Sequence, residues 1–190
     1  MLVQPSAPRF SLVDAGDRTR IVLPSRKVWY VLAFLGFWLS GWTCGEVSAL
    51  TTLLSGRATG GPTPFLLFWL VGWTVGGAMA LFTFLWQLAG SETLEISGDG
   101  LAVWHSLFGL HLPPKVYAAH HIHDLRVPVL DAPPPFGVAR TRFVWGLGPG
   151  AVAFDYGAKT IRIASGADEA EAKLIVAAIR QRYPAFGHAR

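Results

Sequence analysis

Three imidazoles crowd into four residues, His120, His121 and His123, followed directly by Asp124. Residues two apart on a strand share a face, so His121 and His123 could ligate one metal ion, with His111 or Asp124 completing the shell. The same alternation puts them on the side of Leu125, Val127 and Val129, with His120 opposite. No second ligand pair stands at the spacing that metal motifs use, which favours structural histidines. The other chemical group is Glu46, an acid within a long apolar run. A carboxylate at membrane depth points either to proton transfer or to a polar clamp on a neighbouring helix. Ser40, Thr43 and Ser48 accompany it, and residues 65 to 90 hold no Lys, Arg or His to face it.

Further templates for catalysis are missing. There is no GxSxG elbow, phosphate loop or HExxH, and the single cysteine, Cys44, lies in the same apolar run as Glu46. It can form no disulfide within the chain. The glycine-rich run Gly146 to Gly150 precedes a strand pattern, so no helix N-terminus is offered to a phosphate. No cofactor motif is present, and the chain reads as non-enzymatic.

The elements that must position these groups are dominated by a repeat. FLGFWLSGWTCG, from Phe34 to Gly45, returns as FLLFWLVGWTVG, from Phe65 to Gly76, with nine of twelve positions identical. Both copies sit in runs long enough to cross a bilayer core of roughly 30 Å. Residues 28 to 54 carry one charged side chain, Glu46, and residues 65 to 90 carry none. The prediction is a two-helix transmembrane hairpin within residues 25–90, with spans at about 28–54 and 65–88. Gly41 and Gly45 fall on one face of the first helix, and Gly72 and Gly76 on one face of the second. Such small-residue faces allow close backbone approach in lipid, within the pair or against a further subunit. Trp38, Trp42, Trp69 and Trp73 lie beside them and face lipid, a partner, or the space between the helices. Glu46 breaks the repeat, standing where the second copy has Gly77. A first helix ending near Leu54 places Glu46 about 12 Å from that end at 1.5 Å rise per residue.

Charge sets the orientation. The first 27 residues hold five Lys or Arg against two Asp, and the connection from Ser55 to Pro64 holds only Arg57. The positive-inside rule then places both termini in the cytoplasm, with membrane lipid as the first partner. The formal net charge of +4 suggests no nucleic acid, because residues 91 to 190 balance ten Lys or Arg with nine Asp or Glu. Residues 1–24 form a cytoplasmic arm without periodicity, expected to be poorly ordered apart from Ile21 to Leu23.

After Gly90 the pattern turns to short strands. Thr93 to Ile96, Leu101 to Leu107, Val116 to Ala118, Leu125 to Leu130, Thr141 to Trp145, Ala151 to Tyr156 and Thr160 to Ala164 are predicted, with a long loop from Asp131 to Gly150. A helix follows. Ser165 and Asp168 have capping-box spacing, Glu169 and Lys173 form an i, i+4 pair, and Pro184 ends the helix. Residues 91–185 are thus expected to form a small barrel-like domain closed by a C-terminal helix, with 186–190 as a tail.

The run AVAFDYGAKTIRIASGADEAEAKLIVAAIRQRYP, with the strand count, resembles the C-terminal half of pleckstrin-homology-like domains of bacterial membrane proteins. The IVLPSRKVWY lead-in, FWLSGW, a second helix and ETLEISGDGLAVW together look like an uncharacterised family of two-helix bacterial integral membrane proteins carrying such a domain, over residues 20 to 185. The resemblance implies a bacterial inner-membrane, multi-pass protein and a mostly-β pleckstrin-homology-like barrel, and no reaction. The turn Ser97 to Gly100 carries Asp99 and no basic residue, unlike the phosphoinositide-binding loop of eukaryotic relatives. The expected role is a non-enzymatic accessory or scaffold protein that binds a membrane-protein partner or forms a homo-oligomer. A metal- or cofactor-binding sensor or enzyme using the histidines, or proton or ion translocation through Glu46 in an oligomer, is the alternative.

Overall fold

A computed structural model describes residues 8–55, 63–128, 148 and 150–187. The predicted strand Thr141 to Trp145, most of the loop from Asp131 to Gly150, and the connection containing Arg57 lie outside these residues. The chain divides into two compact units, residues 27–88 and residues 1–26 together with 89–190.

The second of these units begins where the sequence pattern suggested little order. Strands β1 (Ser11–Asp14) and β2 (Arg18–Pro24) form an antiparallel β-hairpin, and β2 continues the sheet against β3 (Gly90–Ser97). The expectation of a poorly ordered arm is therefore corrected over the described residues, 8–24. Thr19, Ile21 and Leu23 point inward while Arg18 and Arg20 point outward, a period-2 pattern that the arginines masked as a charged arm. The sheet continues through β4 (Gly100–Leu107) to β5 (Leu110–His111), and β6 (Lys115–Ala118) also pairs with β4. At Gly100 a Cβ would stand 2.1 Å from the Tyr117 carbonyl oxygen, so glycine permits the β4–β6 approach.

A second antiparallel sheet holds β7 (Ile122–Arg126), β8 (Val152–Tyr156) and β9 (Lys159–Ile163). Among the described residues no strand pairs across the two sheets, so the pleckstrin-homology-like barrel expected from the sequence is not formed. The reason lies at Ala119–His121, where a 3-10 turn carries the chain off β6, and β7 takes β8 as its partner. The element order differs too, because a β-hairpin precedes the helices and shares a sheet with strands that follow them.

Both sheets and the C-terminal helix α3 (Glu169–Arg182) bury one common core. Ile21, Leu94, Ile96 and Val103 come from the first sheet; Ile122, Val152 and Phe154 come from the second; and Ala172, Ile175 and Ile179 come from α3. The helix starts one capping box later than the sequence suggested. Asp168, not Ser165, is the N-cap, accepting from Glu171 N while the Glu171 side chain accepts from Asp168 N. On α3, Leu174 is exposed and Val176 is buried. Lys173 and Glu169 make the expected pair at 2.7 Å.

Side chains tie α3 to distant elements. Arg180 donates twice to Leu125 O, and the Tyr183 hydroxyl donates to Ile96 O at 3.0 Å. Arg9 grips Glu171 through its backbone N–H and guanidinium at 2.7 to 3.1 Å. Burial pushes the Glu171 carboxyl up, but the bonds from Arg9 and from Asp168 N outweigh it and leave the group below its ordinary value. In β3, buried Glu92 accepts from Ala164 N and Ser165 N, both at 2.8 Å, and from the Ser165 hydroxyl at 2.9 Å.

The other unit holds α1 (Trp29–Leu54) and α2 (Thr63–Ala89), packed antiparallel. Of the two expected spans, only α2, over Pro64–Ala89, is long and apolar enough to cross a membrane. In α1, Glu46 and the hydroxyl-bearing Ser40, Thr43, Ser48, Thr51 and Thr52 dilute the hydropathy. Val28 N donates to the side chain of fully buried Gln87 at 3.1 Å, joining the start of α1 to the end of α2.

Two consequences are testable. Glu92→Ala leaves one buried and one part-buried N–H group without its acceptor and should lower the unfolding free energy by about 3 kcal/mol. Glu92→Gln, which keeps one acceptor oxygen, should lose less; equal stability of all three proteins in denaturant titration contradicts the clamp. Because the folded state depresses the Glu171 carboxyl, its contribution is present above the ordinary carboxylate range and is lost as pH falls through the lowered value. Denaturation at stepped acidic pH should show a flatter profile for Glu171→Gln in that window.

Candidate functional site

The repeated segments meet through aromatic rings. Trp42 donates its indole N–H to the Trp73 carbonyl at 3.1 Å, and its ring lies on Gly77, where an added Cβ would stand 2.0 Å from ring carbons. Reciprocally, the Trp73 ring lies 3.5 Å from the Cβ position of Gly45. Trp73 also stacks on Trp69, with centroids 4.5 Å apart, and tilts against Trp38 at 6.4 Å. Trp38, Trp42 and Trp73 thus belong to the contact between α1 and α2, whereas Trp69 stacks on Trp73 within α2 and is itself exposed.

The glycines divide differently. Gly45 accommodates Trp73, but a Cβ at Gly41, Gly72 or Gly76 would meet nothing within 4 Å. Close approach between the helices falls on Gly77, where the offset repeat places the counterpart of Glu46. Sequence spacing grouped the glycines by face; it did not reveal which face the rings occupy.

Glu46 lies at the same contact. Thr74 Oγ1 stands 2.7 Å from Glu46 Oε1 and 2.8 Å from Leu70 O. One hydroxyl proton serves one of these acceptors at a time. Glu46 Oε2 and Trp73 Nε1 are buried without a hydrogen-bond partner.

The histidines do not converge. His120 and His121 lie in the 3-10 turn with ring centroids 4.0 Å apart, and His121 meets Tyr156 edge-on at 5.5 Å. Strand β7 begins at Ile122, so His121 precedes the strand and the alternation linking it to His123 does not apply. His123 pairs across the ladder with Asp155, its Nε2 buried and unpartnered. The proposed completing ligands are engaged elsewhere: His111 Nδ1 is 2.7 Å from Ser106 Oγ, and Asp124 is bound by Arg126. Arg126 and then the Thr160 hydroxyl hold the Asp155 carboxyl below its ordinary range. Among the described residues no three His, Cys, Asp or Glu side chains are placed to hold a metal ion.

A surface that the sequence reading passed over lies on the outer face of the first sheet. There an open groove of about 620 Å³ is lined by Arg20, Glu95, Trp104, Ser106, His111 and Leu112, among others. The Arg20 guanidinium stands 5.6 Å from the Trp104 ring and donates to Glu95 at 2.8 Å, and Arg18 donates to the same carboxylate. The Arg20 bond leads the effects that hold Glu95 below its ordinary value. The missed signal was the outward position of Trp104, an aromatic in the polar half of an alternating strand.

Gly77→Ala should dislodge the Trp42 ring and destabilise the helix pair by about 1 to 3 kcal/mol. Gly41→Ala, which enters open space, should be neutral or stabilising by up to about 1 kcal/mol through helix propensity. Unfolding in detergent followed by near-ultraviolet dichroism checks both, and equal effects contradict the assignment. No family model, curated protein or solved structure matches the chain.

Proposed function

We propose that this chain is a non-enzymatic integral membrane protein, an accessory or scaffold subunit whose helix pair binds a membrane-protein partner or a second copy. The observation that carries the reading is the apolar surface of the helix pair. Phe37 is 83% exposed, Phe68 82% and Leu54 86%, and Phe34, Phe65, Val71, Val75 and Met79 are exposed as well. A helix buried in a soluble core would be covered, and side chains of this size in water on every side are what lipid or a partner helix removes.

Strand pairing supports two crossings. β2 and β3 pair along their full length, from Arg18 with Ser97 to Pro24 with Ser91, and therefore lie on one side of a membrane. The chain leaves that side after β2 and returns to it at β3. If α2 crosses, the chain must already have crossed once, and α1, the helix between β2 and α2, would do so despite its more polar composition. The excess of Lys and Arg before α1 places both termini in the cytoplasm, and the inner membrane is the compartment that the bacterial resemblance implies. A periplasm-active reporter inserted between residues 55 and 63 should be active, and one at the C-terminus inactive; the reverse pattern, or inactivity at both, rejects this topology.

The open glycines supply the test of partner binding. Because a Cβ at Gly41 or Gly72 would meet nothing within 4 Å, leucine at both should leave the contact between α1 and α2 intact. Gentle-detergent isolation with native mass determination should recover a stoichiometric complex or oligomer from the natural chain. Gly41→Leu with Gly72→Leu should dissociate it without lowering the unfolding midpoint. Assembly that survives both substitutions removes these faces from the interface.

A further inference from the structure

We propose that the tip joining β4 to β5, with Phe108, Leu110 and Leu112, is a separate membrane contact that dips into the interfacial layer of the bilayer. It rests on the membrane reading above. Leu107 pairs with Leu110 and Ser106 with His111, which leaves Phe108 and Gly109 as a two-residue turn. Both have left-handed backbones, with φ of 51° and 80°. Asn-Gly serves such a turn without strain, whereas phenylalanine does not. Burial does not offset that strain, since Phe108 is 62% exposed, Leu110 77% and Leu112 56%. The ribbon is nevertheless held in shape: Leu112 N donates to His105 O at 2.9 Å, and His111 meets Ser106.

Register places this tip. Leu107 lies opposite Gly90, the residue where the chain passes from α2 into β3, and Pro24 lies opposite Ser91 on the other side of β3. Phe108 and Gly109 extend beyond the end of the sheet at which both helices are joined to it. Residues 100 to 115 contain no Asp or Glu and include Lys115, so nothing in the segment opposes an anionic lipid surface. Three apolar side chains on one turn are far fewer than a stable protein interface requires, but they suit insertion of roughly 5 to 10 Å at the headgroup boundary.

The test uses the full chain with Cys44→Ser, reconstituted in protein-free vesicles of phosphatidylethanolamine and phosphatidylglycerol. An environment-sensitive fluorophore is attached at Leu110→Cys, at Met79→Cys on exposed α2, or at Asp99→Cys in the turn at the opposite end of the sheet. The Leu110 label should show blue-shifted emission and lose intensity with lipid brominated near the carbonyl end of its chains. The Asp99 label should show neither effect. Phe108→Asn, which suits the turn, should preserve folding and reduce the quenching at Leu110. A Leu110 label as water-exposed as that at Asp99, with Met79 quenched, overturns the proposal and leaves the membrane span standing, and a protein partner then becomes the occupant of the tip. A Met79 label quenched neither by this lipid nor by lipid brominated near the methyl end of its chains rejects the membrane span and the proposal together.

Discussion

Glu92 lies buried in β3, and its carboxylate is cradled by the consecutive N–H groups of Ala164 and Ser165, where β9 turns toward α3. Ala164 has a φ of 60°, a conformation disfavoured for alanine, and the two N–H groups converge on the acid as backbone nests do on anions. No strand ladder connects the first sheet to the second among the described residues. The join is made instead by this carboxylate, by the shared apolar core and by α3. A buried charge of this kind is tolerable only because its lone pairs are occupied, and that requirement fixes where the β9–α3 junction sits against β3.

The helix extends the same logic to the chain ends. Glu171 is at once the N3 member of the capping box and the receptor for Arg9, so starting α3 also pins the residues before β1. Arg180 reaches β7 and Tyr183 reaches β3, so one turn of helix contacts strands of both sheets. Residues 9–24 are thereby integral to the globular unit, although α1 and α2 intervene in sequence before β3. Insertion between two neighbouring, paired strands means that the helix pair begins and ends at a single edge of the ladder.

Within the helix pair the aromatic rings do what glycine-to-glycine contact was expected to do. Trp42 and Trp73 each rest on a glycine of the opposite helix, and the indole N–H of Trp42 finds a backbone carbonyl. This leaves Gly41, Gly72 and Gly76 uncovered and most large apolar side chains facing outward, the reverse of the globular unit, whose apolar residues turn inward. The same chain thus carries two packing regimes, one that turns its apolar side chains inward and one that leaves most of them exposed.

The sequence by itself determined the local elements. The apolar repeat specified α1 and α2, alternation specified β4, β8 and β9 nearly to their ends and only the middle of β3, and Pro184 set the end of α3. It also singled out Glu46 and the tryptophans, without fixing what either meets. Tertiary structure alone decided the rest, for reasons that no local pattern encodes. The arm became β1 and β2 because β3 offered a free edge and because Thr19, Ile21 and Leu23 could share its core. The capping box moved to Asp168 and Glu171 because Glu92 had claimed Ser165. The sheets stayed separate because the turn at Ala119–His121 sent β7 to β8, and the same turn took His121 out of the strand alternation with His123. Long-range partners compete for each side chain, and the winner is set by which elements the core brings within hydrogen-bonding reach.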